Sequence, residues 1–172
     1  MDEASTQHYL IALGSNRRHH RIGTPRKVLD AALLALASEG VDVLAVAPVI
    51  ETAPIGPSLR RYANGAAIIT TPLMPDALLA LLKRIEARFG RRRGQRWSAR
   101  TLDLDIILWS GGAWEGPGLV VPHPAFRDRL FVLDPLAEIV PDWRDPVTGA
   151  TVRQLGFRLS RRSPVDPALP RT

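Results

Sequence analysis

Apolar positions along this chain change spacing several times, and the changes predict its elements. Residues 9–13 form a short apolar run closed by Gly14-Ser15-Asn16, a turn signal, and read as a buried strand. Thr24-Pro25 supplies a helix N-cap followed by proline at the first helical position. Leu29, Ala32, Leu33 and Leu36 then recur at helical spacing, and Gly40 suits the exit. Residues 41–52, rich in valine, predict a second strand. Pro48 has no N–H for a ladder, which places that strand at a sheet edge. Residues 54–61 read as a loop and 62–71 as a third strand. Pro75 and Asp76 open a second helix whose buried stripe is Leu78, Leu82, Ile85 and Phe89, ended by Gly90. A basic loop, 91–100, leads to a fourth strand at 101–109. A glycine-rich turn at 110–118, a short strand at 119–121 and a short helix at 130–139 complete the pattern.

Strand, helix, strand, strand, helix, strand is the order of the split βαβ, or ferredoxin-like, α+β fold. In that fold the second strand lies at an edge, where Pro48 is tolerable. Both helices are expected on one face of the sheet, with the other left for loops and ligands. A single domain is expected over residues 1–160. The tail, 161–172, carries prolines without apolar periodicity and is expected to be disordered.

Composition narrows the class. The 172 residues are 45% hydrophobic and 23% charged, as in globular proteins rather than disordered ones. With no cysteine, disulfides and thiolate metal sites are excluded. The first eight residues lack a basic-then-apolar signal, and no apolar run reaches the length of a membrane span, so a cytoplasmic protein without membrane contact is expected. The net charge of +6 implies anionic partners without specifying them. It is clustered: Lys83, Arg84, Arg88, Arg91, Arg92, Arg93, Arg96 and Arg100 form one group, with Glu86 the one acid inside it, and Arg17, Arg18, Arg21, Arg26 and Lys27 form another.

The most informative stretch is Thr101-Leu102-Asp103-Leu104-Asp105-Ile106. Strand side chains alternate, so the two aspartates share one face at a Cα separation of roughly 7 Å. Aspartate is poorly suited to strands, and like charges this close repel unless a cation compensates. Mg²⁺ takes one or two carboxylates and completes its shell with water and phosphates, which suits the pair. The arginines before it could grip phosphate oxygens or form a solvated basic loop. From the residues alone, His123 reads as structural, and Tyr62, Asn64 and Phe131 as ordinary strand-edge and core positions.

The ordered motifs tie these positions together. Ala12-Leu13-Gly14-Ser15-Asn16, Glu51-Thr52-Ala53-Pro54-Ile55-Gly56-Pro57, Tyr62-Ala63-Asn64, Ile85-Glu86 before Gly90-Arg91, Arg96-Trp97-Ser98-Ala99-Arg100-Thr101-Leu102-Asp103-Leu104-Asp105, Val121-Pro122-His123-Pro124 and Arg129-Leu130-Phe131 stand in this order. The chain so read resembles the 6-hydroxymethyl-7,8-dihydropterin pyrophosphokinases over residues 9–142. The resemblance implies a ferredoxin-like enzyme that transfers pyrophosphate from ATP to the pterin alcohol in folate biosynthesis, releasing AMP. It implies two Mg²⁺ ions held by Asp103 and Asp105, with Arg91 and Arg100 as catalytic arginines. Pterin would be bound by Thr52, Ala53, Ile55, Tyr62, Asn64, Trp97 and Phe131. ATP would be bound by Arg91, Arg93, Arg100, Ile106, Val120, His123 and Arg129. The partners expected are these two substrates, with no nucleic acid, and a monomer is expected. The chain departs from the common pattern at Ala53, Lys83, Ser98 and Ala99 and in a longer, more basic segment at 14–24. The competing reading is a nucleic-acid-binding module on the same fold. RNA-reading sheets carry aromatics on their central strands, whereas Leu10-Ile11-Ala12-Leu13 and Ala66-Ala67-Ile68-Ile69 are aliphatic.

Overall fold

The computed structural model describes residues 5–52, 61–90 and 101–162. Its first unit follows the predicted order: β1 (Gln7–Ser15), α1 (Pro25–Ser38), β2 (Asp42–Val46), β3 (Ile50–Thr52), β4 (Tyr62–Thr71), α2 (Pro75–Arg88) and β5 (Asp103–Trp109). The sheet order is β2-β4-β1-β5, antiparallel throughout, with β3 also paired to β4. This is the split βαβ arrangement, with the second strand at the edge.

Local chemistry explains both helices. The Thr24 hydroxyl accepts the Lys27 N–H, and Pro25 occupies the first turn of α1, where no N–H is needed. Gly40 and Gly90 follow the two helices with φ of 80° and 89°, a conformation that costs other residues strain. Val28, Leu29, Ala32 and Leu36 of α1 and Leu78, Leu81, Leu82 and Ile85 of α2 pack on Ile11, Leu13, Ile69, Leu104 and Ile106 from the sheet.

Four expectations need correction. The single strand expected at 41–52 is two, because the chain leaves the ladder around Pro48 and rejoins β4 as β3. The stretch read as a turn at 110–118 contains β6 (Trp114–Gly116), which forms a hairpin with β7 (Leu119–Val121). Trp114 packs edge-on against Trp109, anchoring that hairpin to β5. The second sheet face is not left open along its length. After a 3-10 turn (Phe126–Asp128), α3 (Leu130–Ile139) and α4 (Val152–Arg162) place Phe126, Val132, Leu133, Leu136, Val152 and Leu155 against Leu10, Ala66, Ile107 and Leu108. Finally, α4 was not among the expected elements, and it carries Arg161 and Arg162, which the expectation put in the tail. The rest of that tail lies outside the described residues. No helix among the described residues is long and apolar enough to cross a membrane.

The α3–α4 lobe is held by an ion pair. Arg127, in the 3-10 turn, donates through Nε and Nη2 to the two carboxylate oxygens of Asp145 at 2.7 and 2.8 Å. Asp145 is fully buried and also accepts the Thr148 hydroxyl and the Val147 N–H. Burial alone would push this carboxyl up. The hydrogen bonds from Arg127, Thr148 and Val147, with the nearby guanidinium charge, outweigh it and hold the group below the usual carboxylate range. A depressed folded value contributes stability that is present above the unfolded pKa, near 3.9, and is lost as pH falls through the folded value. Melting temperature is therefore expected to fall more steeply between pH 5 and 3 in the wild type than in Asp145→Asn. Parallel curves would remove this account of the acid limb.

Candidate active site

The register of three strands assembles the centre of the site. Gly14 of β1 lies opposite Asn64 of β4 on one side and Asp103 of β5 on the other. Two residues along, Ala12 lies opposite Asp105. Directly opposed residues share a face, so Asn64, Asp103 and Asp105 project to the same side, that of the second core. Tyr62, two residues before Asn64, shares that side. At Gly14 the missing side chain leaves room: a Cβ there would stand 3.7 Å from Asn64 Oδ1 and 4.0 Å from Asp103 Cβ. Amide and carboxylate thus flank a floor made of backbone.

Asn64 is almost fully buried, and its Nδ2 donates to Thr52 Oγ1 at 2.8 Å. That bond fixes the amide's orientation and turns its Oδ1 to the Gly14 side. Thr52 pairs with Tyr62 across β3 and β4, so these three polar side chains form one group.

At the carboxylate pair, Asp103 and Asp105 are partly exposed, while Leu102, Leu104 and Ile106 between and beside them are buried. The alternation expected from the sequence holds up to Ile106 and then stops. Leu10 faces Leu108 but Ile11 faces Ile106, so Ile107 is an extra residue in β5. The bulge turns both Ile107 and Leu108 to the second core and bends β5 just past the carboxylates. Glu86 of α2, fully buried, accepts the Leu104 N–H at 2.9 Å and pairs with Lys83 Nζ at 3.2 Å. Lys83, which the resemblance left without a clear place, therefore joins the support of β5. The sequence singled out Glu86 as the acid within a basic cluster but gave it no role. Its position identifies one, because among the described residues β5 has a strand neighbour on its β1 side alone, and Glu86 takes the Leu104 N–H on the other.

The hairpin brings in the remaining side chains. The His123 N–H bonds to the Ile107 carbonyl at 2.9 Å, laying the Pro122–Pro124 segment along the bulge. His123 Nδ1 accepts the Ala125 N–H at 3.1 Å, so in the neutral ring the proton sits on Nε2, as a donor. Burial lowers its pKa, the Arg129 charge lowers it further, and Asp105 opposes both. Those influences show that Asp105, His123 and Arg129 share one electrostatic neighbourhood. Arg129 stands at the N-terminus of α3 with its guanidinium carbon 5.7 Å from the centre of the Phe131 ring. Phe131 packs at the margin of the second core, on the Tyr62 side of the sheet. Val120 of β7 is half-exposed, whereas Ile106 is buried, which leaves Ile106 only its backbone to offer a ligand.

Of the predicted residues, the structure brings together Thr52, Tyr62, Asn64, Asp103, Asp105, His123, Arg129 and Phe131 around one sheet face, with Ile106 and Val120 beside them. Ala53, Ile55, Arg91, Arg93, Trp97 and Arg100 lie outside the described residues. The two carboxylates are a donor set for a hard, oxygen-seeking cation that takes its other ligands from elsewhere. Among the described residues there is no cluster of three or more histidine, cysteine, aspartate or glutamate side chains to close a cage around an ion.

The chain is similar to known proteins. The sequence profile described as 7,8-dihydro-6-hydroxymethylpterin-pyrophosphokinase (HPPK) matches residues 10–141. The chain is 40% identical over 147 residues to the 2-amino-4-hydroxy-6-hydroxymethyldihydropteridine pyrophosphokinase of Synechocystis, covering 85% of this chain and 73% of that one. It is 41% identical over 159 residues to the enzyme of the same name from Bacillus subtilis, covering 91% and 92%. A crystal structure of wild-type Plasmodium falciparum HPPK-DHPS with SDX-DHP superposes with a TM-score of 0.70 at 12% identity. The match takes in 94% of this chain and 46% of that one, so this chain spans about half of that longer protein. That likeness establishes the fold. The profile match and the identities place the chain in the 7,8-dihydro-6-hydroxymethylpterin-pyrophosphokinase (HPPK) family.

Proposed function

We propose that this protein transfers the terminal pyrophosphoryl group of ATP to the hydroxymethyl oxygen of 6-hydroxymethyl-7,8-dihydropterin, releasing AMP, as a step in folate biosynthesis. The observation that carries the reading is the row Asn64–Gly14–Asp103, which sets an oriented amide and a metal-type carboxylate on either side of an open floor. A flat heterocycle read at its edge by Asn64 would present its substituent towards the carboxylate pair.

The pterin ring would lie between Tyr62 and Phe131, with Thr52 and Asn64 reading its edge and the Ala53 and Ile55 segment and Trp97 contributing from outside the described residues. The nucleotide would lie along β5 and β7, with adenine against the Ile106 and Val120 backbones and phosphates at His123 and Arg129. The Nε2–H of His123 and the guanidinium of Arg129 are both donors suited to phosphate oxygens. Asp103 and Asp105 would hold Mg²⁺, two ions on our reading. Bound there, Mg²⁺ would neutralise phosphate charge as the pyrophosphoryl group moves. The protein's own task is positioning: the alcohol oxygen attacks the β-phosphorus, its proton is lost, and AMP leaves from the opposite side. Arg91, Arg93 and Arg100 would supply further positive charge to the phosphates. The nucleic-acid reading lacks a platform, since α3 and α4 cover the sheet face that such a module would present.

An assay of AMP formation from ATP, Mg²⁺ and the pterin alcohol tests the reaction, and ATP consumption without pyrophosphorylated pterin would refute it. The two ligands should also separate. Asn64→Ala leaves the pterin's edge without a partner and should weaken pterin binding by about 1–3 kcal/mol. ATP-analogue affinity measured without pterin should be unchanged. Calorimetry showing equal loss for both ligands would displace Asn64 from the pterin site.

A further inference from the structure

We infer that the buried Arg127–Asp145 pair is a positioning device for the nucleotide site, acting through Arg129. The inference rests on the assignment of Arg129 to the ATP phosphates. Asp145 lies beyond residues 10–141, the part of the chain that matches the family profile.

The chain between His123 and Arg129 is short and has three fixed points. His123 is tied to β5 through the Ile107 carbonyl, and the Phe126 N–H returns to the His123 carbonyl at 3.2 Å. Phe126 is fully buried in the second core. Arg127 is gripped by both oxygens of Asp145. The Arg129 N–H then bonds to the Phe126 carbonyl at 3.3 Å, and the Arg129 carbonyl accepts from Val132 and Leu133 as α3 begins. The direction in which Arg129 leaves the backbone is therefore set two residues upstream, at the ion pair.

Asp145 is itself rigidly held. Its N–H bonds to the Ala150 carbonyl at 2.9 Å and its carbonyl accepts the Gly149 N–H at 2.8 Å, closing the Asp-Pro-Val-Thr-Gly turn. Gly149 has φ of 72°, the left-handed conformation that favours glycine. Ala150 and Val152 after the turn are buried in the second core. A bidentate guanidinium–carboxylate fork fixes both distance and direction. Burying such a pair gains little net stability over apolar packing of the same volume. Its geometry, rather than its energy, is what the adjoining segment gains.

The test measures binding of a non-hydrolysable ATP analogue with Mg²⁺, and of adenosine, to the wild type, Asp145→Asn, Arg127→Lys, Arg129→Ala and the double variant Asp145→Asn/Arg129→Ala. Thermal melts accompany each. Asp145→Asn keeps size and most hydrogen bonding but loses the charged fork. Arg127→Lys keeps the charge but not the bidentate geometry. Both should weaken the analogue by about tenfold, the scale of a lost orienting contact behind a ligand-binding group, with adenosine affinity unchanged. In the Arg129→Ala background, Asp145→Asn should cause no further loss. A merely structural pair would weaken both ligands in step with the melting temperature, or lower analogue affinity equally with and without Arg129, and either result overturns the inference. If Arg129→Ala leaves analogue affinity unchanged, the phosphate assignment of Arg129 fails and the inference fails with it. Should Asp145→Asn not fold, Arg127→Lys alone and combined with Arg129→Ala decides by the same criterion.

Discussion

Asp103→Ala and Asp105→Ala are each expected to lower turnover by about 10³-fold or more, while the folded state survives. The loss follows from the role proposed for the pair. Metal-assisted neutralisation of phosphate charge is worth several kcal/mol in the transition state, and each 1.36 kcal/mol is a factor of ten in rate. Among the described residues there is no group of three or more histidine, cysteine, aspartate or glutamate side chains to take over. Survival of the fold follows from the packing. Both side chains are partly exposed, and the apolar positions of β5, Leu102, Leu104 and Ile106, are untouched. Removing one carboxylate also relieves a like-charge repulsion in the metal-free protein. The measurements are kcat at saturating substrates across a Mg²⁺ titration, with a melt for each variant. Near-normal turnover in either folded variant would end the metal assignment.

Much of this site was legible because it rests on strand periodicity. Asp103 and Asp105 at i and i+2 had to share a face, and the aliphatic residues around them had to be buried, before any tertiary information entered. The helices were legible because Thr24-Pro25, Pro75-Asp76, Gly40 and Gly90 punctuate them. What was not legible depends on pairing between strands or on competing signals. The bulge at Ile107 was hidden because Ile106, Ile107 and Leu108 are apolar whichever face each takes. Opposition of Asn64, Gly14 and Asp103 requires the register of β1 with two neighbours that lie about fifty and ninety residues away. The α4 helix is faint in the sequence because its apolar stripe, Val152, Leu155 and Leu159, is short, has Gly156 beside it and lies among Arg153, Arg158, Arg161 and Arg162. The α3 helix was legible at 130–139 although Pro135 lies inside it. The Arg127–Asp145 pair spans a helix and a turn, and neither residue has a local pattern that announces the other.

Gly14→Val is expected to weaken pterin binding without destabilising the protein, a separation that few active-site substitutions provide. A valine here meets no backbone conflict, because the φ of Gly14 is not in the left-handed region, where other glycines of this chain sit. Its Cβ would contact Asn64 Oδ1 and Asp103 Cβ at ordinary van der Waals distances, so the folded chain can accept it. Glycine in a strand interior costs about 0.5–1 kcal/mol relative to alanine, and β-branched residues favour strands. Melting temperature should therefore hold or rise. The two γ-methyl groups, however, would occupy the floor between the amide of Asn64 and the carboxylate of Asp103, where the heterocycle is proposed to lie. Intruding on a fitted site costs on the order of 1–3 kcal/mol or more. That corresponds to a rise in pterin Kd of about 5- to 150-fold, and turnover should fall further because any pterin still bound is displaced from the attacking geometry. Gly14→Ala, with one carbon, should fall between the wild type and Gly14→Val in pterin affinity. ATP-analogue affinity should stay at the wild-type value in both, since the His123 backbone is tied to β5 at Ile107, past Asp105 from the Gly14 row. Calorimetry of each ligand, together with melts, tests the whole pattern. If Gly14→Val bound pterin as the wild type does, the floor between Asn64 and Asp103 would not be the pterin site.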